Sequence, residues 1–167
     1  MKILYLLRHG KAEQSSPGSD ADRLLSAKGE KQVKLLSKWF NDHPPVPQKL
    51  VSSHASRAYE TASLLARDLN IATIDIQKAI YYGDEETLDD IIRDTDDNID
   101  VLLLAGHNPS ISDLANLYIY PAIGVLPTAG LAIITFDVAN WKSIGKGRVH
   151  SSKVVLPEML KKYSKGG

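Results

Sequence analysis

The sequence predicts a layered α/β domain built around a mostly parallel central sheet. Two continuous apolar runs, Ile3 to Leu7 and Val101 to Ala105, mark strands covered on both faces, as in sheets with helices above and below. Segments with helical spacing alternate with strand-like runs, the order expected of stacked βα units. A length of 167 residues with 43% hydrophobic residues suits one domain with a full core, which we assign to residues 1–160.

The first strand stops at Arg8-His9-Gly10. From Gly10 to Arg23 follows a polar loop rich in turn formers (Ser15, Ser16, Pro17, Gly18), and so long a loop in a small domain is often functional. Ser26 is a plausible N-cap for a helix with Glu30 in its first turn and Val33, Leu36, Trp39 and Phe40 on its apolar face; Asn41 to Pro45 end it. Leu50-Val51 reads as a short strand running into Ser52-Ser53-His54. Ser56 is placed to cap the next helix, whose stripe is Ala58, Ala62, Leu65 and Leu69. Ile71 to Ile76 alternates like a strand, and Glu85 to Arg93 reads as a helix through Leu88, Ile91 and Ile92. After the Val101 strand, Asn108-Pro109 looks like an N-cap and first helical residue for a helix from Ser110 to about Tyr118. Leu131 to Phe136 is a further strand and Arg148 to Val155 an edge strand; residues 161–167 read as a flexible polar tail outside the fold.

Composition narrows function before any motif is considered. There are no cysteines, which excludes disulfide scaffolds, thiol catalysis, iron–sulfur clusters and thiolate zinc sites. Lys plus Arg balance Asp plus Glu at 20 each, so no overall field draws the protein to nucleic acid or to a membrane, and any anion must be met by a local cluster. The apolar run at Ile3 to Leu7 is too short for a signal-peptide core, and none approaches a bilayer span, so a cytoplasmic protein is expected. Neither H-x-H nor H-E-x-x-H spacing occurs, nor a Walker loop, a G-x-G-x-x-G or a G-x-S-x-G elbow. No metal and no cofactor are expected.

Ligands of open α/β sheets collect beyond the carboxyl ends of the strands. There the sequence delivers Arg8 and His9 after the first strand, Ser53, His54 and then Arg57 after the Leu50 strand, and His107 after the Val101 strand. Taken singly, a histidine at a strand end is more often structural and an arginine on a helix more often solvated. Two arginines and two histidines converging on one crevice suit a phosphoryl group: guanidinium forks match phosphate oxygens, and a charge pair at about 4 Å is worth about 4 kcal/mol at an effective dielectric near 20. Helix N-termini after Ser56 and Asn108 would add N–H donors. A histidine serves either as neutral nucleophile or as cationic donor near neutral pH, and transfer through a covalent intermediate needs both roles.

Three segments in order carry a family resemblance. Leu7-Arg8-His9-Gly10 resembles the R-H-G signature of the histidine phosphatase superfamily, Ser52 to Ala58 with Thr61 resembles its S-S-x-x-x-R-A-x-x-T segment, and Gly106-His107-Asn108-Pro109 resembles its G-H-N-P segment. Leu25 to Gly29, Glu86-Thr87-Leu88 and Leu126 to Gly130 are most similar to SixA-type phosphohistidine phosphatases. The resemblance implies a three-layer α/β/α sandwich like that of phosphoglycerate mutase. It also implies a metal-independent phosphatase in which His9 is transiently phosphorylated, Arg8 and Arg57 clamp the phosphoryl oxygens, and His107, preferably charged, donates to the transition state. Ser53 and His54 are expected at the substrate.

Two positions depart from the pattern: Tyr82 stands where related enzymes carry a proton-donating Glu, and His54 replaces a common Pro. Asp84 or Glu85 is the candidate substitute acid if the loop turns inward, although a solvated carboxylate at a helix start is the commoner reading of both. A missing acid matters little for the labile P–N bond of phosphohistidine and much for a sugar alkoxide. The expected substrate is therefore a histidine-phosphorylated protein acted on by a monomer. The alternatives are a small organic phosphate or, with catalysis lost, phosphate binding alone.

Overall fold

The computed structural model describes residues 1–165. Strands β1 (Lys2–Arg8), β2 (Lys49–Ser52), β3 (Ile74–Ile76), β4 (Val101–Gly106), β5 (Leu131–Phe136) and β6 (Val149–Val155) form one sheet in the order β3-β2-β4-β1-β5-β6. Pairing is parallel from β3 through β2 and β4 to β1, and only β5 runs against its neighbours. The register of β1 on β4, Ile3 opposite Val101 through Arg8 opposite Gly106, ends both strands together. His9 and His107 follow at adjacent positions for that reason.

Alternation along the central strands sorts the core into two layers. Leu4, Leu6, Leu102 and Leu104 face helices α4 (Glu85–Arg93) and α5 (Ser110–Tyr118), meeting Leu88, Ile92, Ile111 and Leu114. Tyr5, Leu7, Leu50 and Leu103 face α1 (Ala27–Asp42) and α2 (Ser56–Leu69), meeting Val33, Leu36, Phe40, Ala62 and Leu65. The three-layer α/β/α architecture thus follows from the period-two pleat of strands whose faces are both apolar. Lys2 is buried under this sheet, its ammonium donating to the carbonyls of Asp97 (2.6 Å) and Ile99 (3.0 Å) and to Asp100 (2.8 Å). Among the described residues no helix is long and apolar enough to cross a membrane.

Several local expectations change. The strand expected over residues 71–76 is only Ile74–Ile76, because Asn70 ends α2 in a left-handed conformation (φ 57°) and Ile71 donates back to Ala66 O. Ser56 begins α2 rather than capping it: Ala55 holds the cap position, while Ser53 Oγ accepts from the Ala55 N–H at 3.1 Å. Asn108 is not an N-cap either; its side chain donates to Leu126 O at 2.9 Å and accepts from Ser112 Oγ, tying the 125–128 loop to the head of α5. A short helix, α3 (Ala79–Tyr82), appears where no element was expected. Of the expected tail, residues 161–165 complete the 3-10 helix Pro157–Lys165, in which Leu160 is buried against the α1 side and Tyr163 O accepts from Lys38 Nζ at 3.2 Å. Residues 166–167 lie outside the described residues.

Gly29 lets the chain after His9 pack tightly on α1. It sits in the first turns of that helix against the backbone of Lys11, and a Cβ there would collide with the Lys11 carbonyl. Gly29→Ala is therefore expected to destabilise the protein by about 1–3 kcal/mol, the usual cost of forcing an extra methyl into a packed contact, measurable by urea unfolding. An unchanged midpoint would mean that the chain after His9 yields freely.

Candidate active site

The ends of β1, β2 and β4 supply the candidate side chains. His9 is 6% exposed; its Nδ1 lies 2.7 Å from Gly10 O, and its Nε2 faces Arg57 Nε at 3.3 Å. A carbonyl can only accept, so Nδ1 carries the proton and Nε2 presents its lone pair, the form a nucleophile needs. The Gly10 N–H donates to Thr61 Oγ1 at 3.0 Å, and that hydroxyl donates to Arg57 O at 2.7 Å, locking the loop to the first turns of α2. The Ala129 N–H closes on the carbonyls of Arg8 (3.0 Å) and His9 (2.9 Å) from the other side.

His107 stands beside His9 with ring centroids 5.1 Å apart. Its Nε2 is 2.8 Å from Ser53 Oγ. That hydroxyl accepts from the Ala55 N–H and has one proton of its own, for which Nε2 is the acceptor within reach; in that arrangement the imidazole proton sits on Nδ1. Ser53, expected to touch substrate, is instead wholly buried and orients His107.

The cations complete the pocket. Arg8 Nη1 donates to Leu126 O at 3.0 Å. Arg57, 6% exposed, donates through Nη1 to the backbone oxygen of Asp20 (2.9 Å) and through Nη2 to its carboxylate (3.0 Å). Arg8, His9, Lys11, Arg23, Arg57, His107 and the adjoining Asn108 and Thr128 line a cavity of about 230 Å³. Arg8 Nε and His107 Nδ1 are buried with no hydrogen-bond partner among the described residues. Unmet buried polar groups are costly, and both atoms belong to residues that line the pit.

Burial and neighbouring guanidinium groups tune the histidines. Desolvation, with Arg57 and Arg8 adding repulsion, lowers His9 from 6.5 to about 4. Desolvation together with repulsion from His9 and Arg57 lowers His107 to about 3. The expectation of a charged His107 is corrected for the anion-free protein, in which both rings are neutral at neutral pH. Burial and Arg57 also lower the pKa of Arg8.

For histidines neutral when folded, the unfolded chain takes up the proton first. Stability is therefore unaffected above about pH 6.5 and falls below it, down to about pH 4 for His9 and about pH 3 for His107, by at most about 1.4 kcal/mol per pH unit for one ring. In an NMR titration of the anion-free protein, the His9 and His107 ring signals are expected to keep their neutral-form shifts from pH 8 to about pH 5. A His107 midpoint above pH 6 would restore the charged-donor role.

The remaining expected residues lie elsewhere. Asp84 caps α4, exposed and accepting from the Thr87 N–H (3.1 Å) and hydroxyl (3.2 Å), which hold its carboxyl below the ordinary range. Glu85 follows in the first turn, and neither residue lines the cavity. The substitute acid expected from them is not supplied by this geometry. His54 stands outside the lining, packed against Tyr81 and Tyr82.

Sequence reasoning missed Asp20, Arg23 and Tyr81. Asp20 accepts from Arg57, from Arg23 Nε (2.9 Å) and from Tyr81 Oη (2.6 Å), and these donors hold its carboxyl far below the ordinary range. The only signal was the length of the loop that carries it.

A metal-ligand cluster of three or more His, Asp or Glu is absent among the described residues. An imidazole lone pair on the floor of a cationic pit, at the carboxyl ends of parallel strands, defines a phosphoryl-handling enzyme site. The chain belongs to the histidine phosphatase superfamily, branch 1, whose sequence pattern matches residues 4–106. Its fold matches the protein histidine phosphatase SixA complexed with tungstate, with a TM-score of 0.81 and 20% identity over 95% of this chain and 99% of that one. The SixA protein of Agrobacterium tumefaciens, assigned as a phosphohistidine phosphatase, is 25% identical with a TM-score of 0.76, over 91% of this chain and 97% of its own. A mycobacterial glucosyl-3-phosphoglycerate phosphatase shares the fold with a TM-score of 0.64 and 16% identity, over 93% of this chain and 97% of that one. Of these three, the SixA-type members superimpose better, yet the fold by itself does not select a substrate.

Proposed function

We propose that this chain is a metal-independent phosphatase that hydrolyses protein phosphohistidine through a phospho-His9 intermediate. The neutral Nε2 of His9 attacks phosphorus while the P–N bond to the substrate imidazole breaks; the departing ring nitrogen takes its proton from solvent. Water then attacks phosphorus, the P–Nε2 bond breaks, a water proton is released, and inorganic phosphate leaves. Arg8 and Arg57 bind the equatorial oxygens through charge-assisted hydrogen bonds, and His107 Nδ1–H adds a donor as charge spreads over them.

The observation that carries this reading is a nucleophile-ready imidazole in a pit whose lining holds cations and no carboxyl acid. The nearby carboxylate, Asp20, is kept ionised by its donors and is a poor proton source. A P–N bond tolerates that lack, whereas an alkoxide leaving group forfeits the roughly 10²–10⁴-fold that a general acid supplies.

The test is phosphate release, with chelator present, from a phosphohistidine peptide, an aryl phosphate and a sugar phosphate in parallel. Turnover of the first two alone is expected. Efficient release from the sugar phosphate would replace this reading with that of a small-molecule phosphomonoesterase, and phosphate binding without turnover of any donor would leave a binding module.

A further inference from the structure

In a displacement at phosphorus the attacking and leaving atoms stand roughly in line. A phosphoryl group taken by His9 from the floor of the pit sends its leaving group toward the mouth. The lining there is charged and polar, so selectivity among leaving groups must come from side chains just beyond it.

Three rings stand next to that lining: Tyr81 against His107 and Arg57, with Tyr82 and His54 packed on it. Helix α3 follows β3 directly, on the strand-end side of the sheet, and its last two residues are Tyr81 and Tyr82. Tyr81 is the nearest of them: its ring is edge-on to His107 with centroids 5.3 Å apart, Arg57 Cζ lies 5.9 Å from its centre, and its hydroxyl donates to Asp20. Tyr82 packs on Tyr81 at 4.9 Å and nearly parallel to the His54 ring at 5.9 Å and 26°. His54 meets Tyr81 edge-on at 5.4 Å and directly follows Ser53, the residue that holds His107. Tyr82 is nonetheless 76% exposed, so the aromatic surface that starts at His107 ends in solvent with an open ring.

We propose that His54, Tyr81 and Tyr82 form a leaving-group subsite that receives the planar imidazole of a phosphohistidine. This rests on the phosphatase reading and adds to it a specificity-determining surface. Imidazole is flat and aromatic and gains from offset or edge-to-face packing on such rings, whereas ammonia or an alkyl alcohol does not. Tyr81 is held by its hydrogen bond and Tyr82 by its stack on His54, so little side-chain freedom is lost when a ring docks. The two departures from the family pattern, Tyr82 and His54, are then parts of one surface.

The experiment compares kcat/KM for a phosphohistidine peptide and for phosphoramidate, which carries the same P–N bond but releases ammonia. Wild type, Tyr82→Leu and Tyr82→Phe are measured in parallel, with circular dichroism as a check on folding. One aromatic contact corresponds to about two- to tenfold. The ratio of phosphohistidine to phosphoramidate efficiency is expected to fall by that factor in Tyr82→Leu, through KM, and to return in Tyr82→Phe. An unchanged ratio in Tyr82→Leu, or an equal loss on both donors, would overturn the subsite while leaving the phosphatase reading standing. A wild type that releases phosphate from sugar phosphates and not from phosphohistidine would overturn both.

Discussion

His9→Ala is expected to reduce phosphate release from a phosphohistidine peptide by about 10⁴-fold or more, because it removes the nucleophile rather than a supporting contact. Gly10 O holds the Nδ1 proton, so no other nitrogen of the ring competes with Nε2 for phosphorus. His107 is not placed to take over, because its Nε2 is engaged by the Ser53 hydroxyl. The covalent step has its own readout. Wild type quenched in alkali during turnover is expected to carry phosphate on the peptide that contains His9, and the variant none. Substantial turnover by His9→Ala, or a label on His107 instead, would reverse the assignment of the two histidines.

Arg57→Ala is expected to cost on the order of 10³-fold in kcat/KM, as arginines that meet transferring phosphoryl groups commonly do. Its guanidinium donates to His9 through Nε while Nη1 and Nη2 hold Asp20, so it ties the two sides of the pit together. The change also has a sign that a purely structural arginine would lack. Arg57 is one of the charges that lower the His9 pKa, so removing it is expected to raise that pKa from about 4. Arg57→Lys is expected to recover little, since one ammonium cannot reach His9 and both oxygens of Asp20 together. Losses below tenfold for both Arg8→Ala and Arg57→Ala would remove the clamp from the mechanism.

The site was legible in the sequence where it depends on strand ends. Arg8, His9 and His107 follow apolar runs whose boundaries are sharp, and Arg57 follows β2 by one short turn, so topology alone brings them together. Ser53 was misassigned because its partner is 54 residues away and a buried hydroxyl reads no differently from an exposed one. Asp84 keeps the local role that its place at a helix start suggests, an exposed N-cap, rather than the acid role considered for it. Asp20 was invisible because a polar loop has no periodicity from which to read a direction, and only the donors of Arg57, Arg23 and Tyr81 define where its carboxylate sits.

By itself the amino-acid sequence determined the layers of this protein and the residues that gather at the candidate site. Hydrophobic periodicity is a local property, and parallel strands deliver whatever follows them to one edge of the sheet. Only the tertiary structure decided the protonation of those residues and the shape of the mouth. Desolvation and charge repulsion depend on every group within a few ångströms, whatever its place in the chain, and so the neutral His107, the ionised Asp20 and the ring stack from His54 to Tyr82 arise from packing between segments that are far apart in sequence.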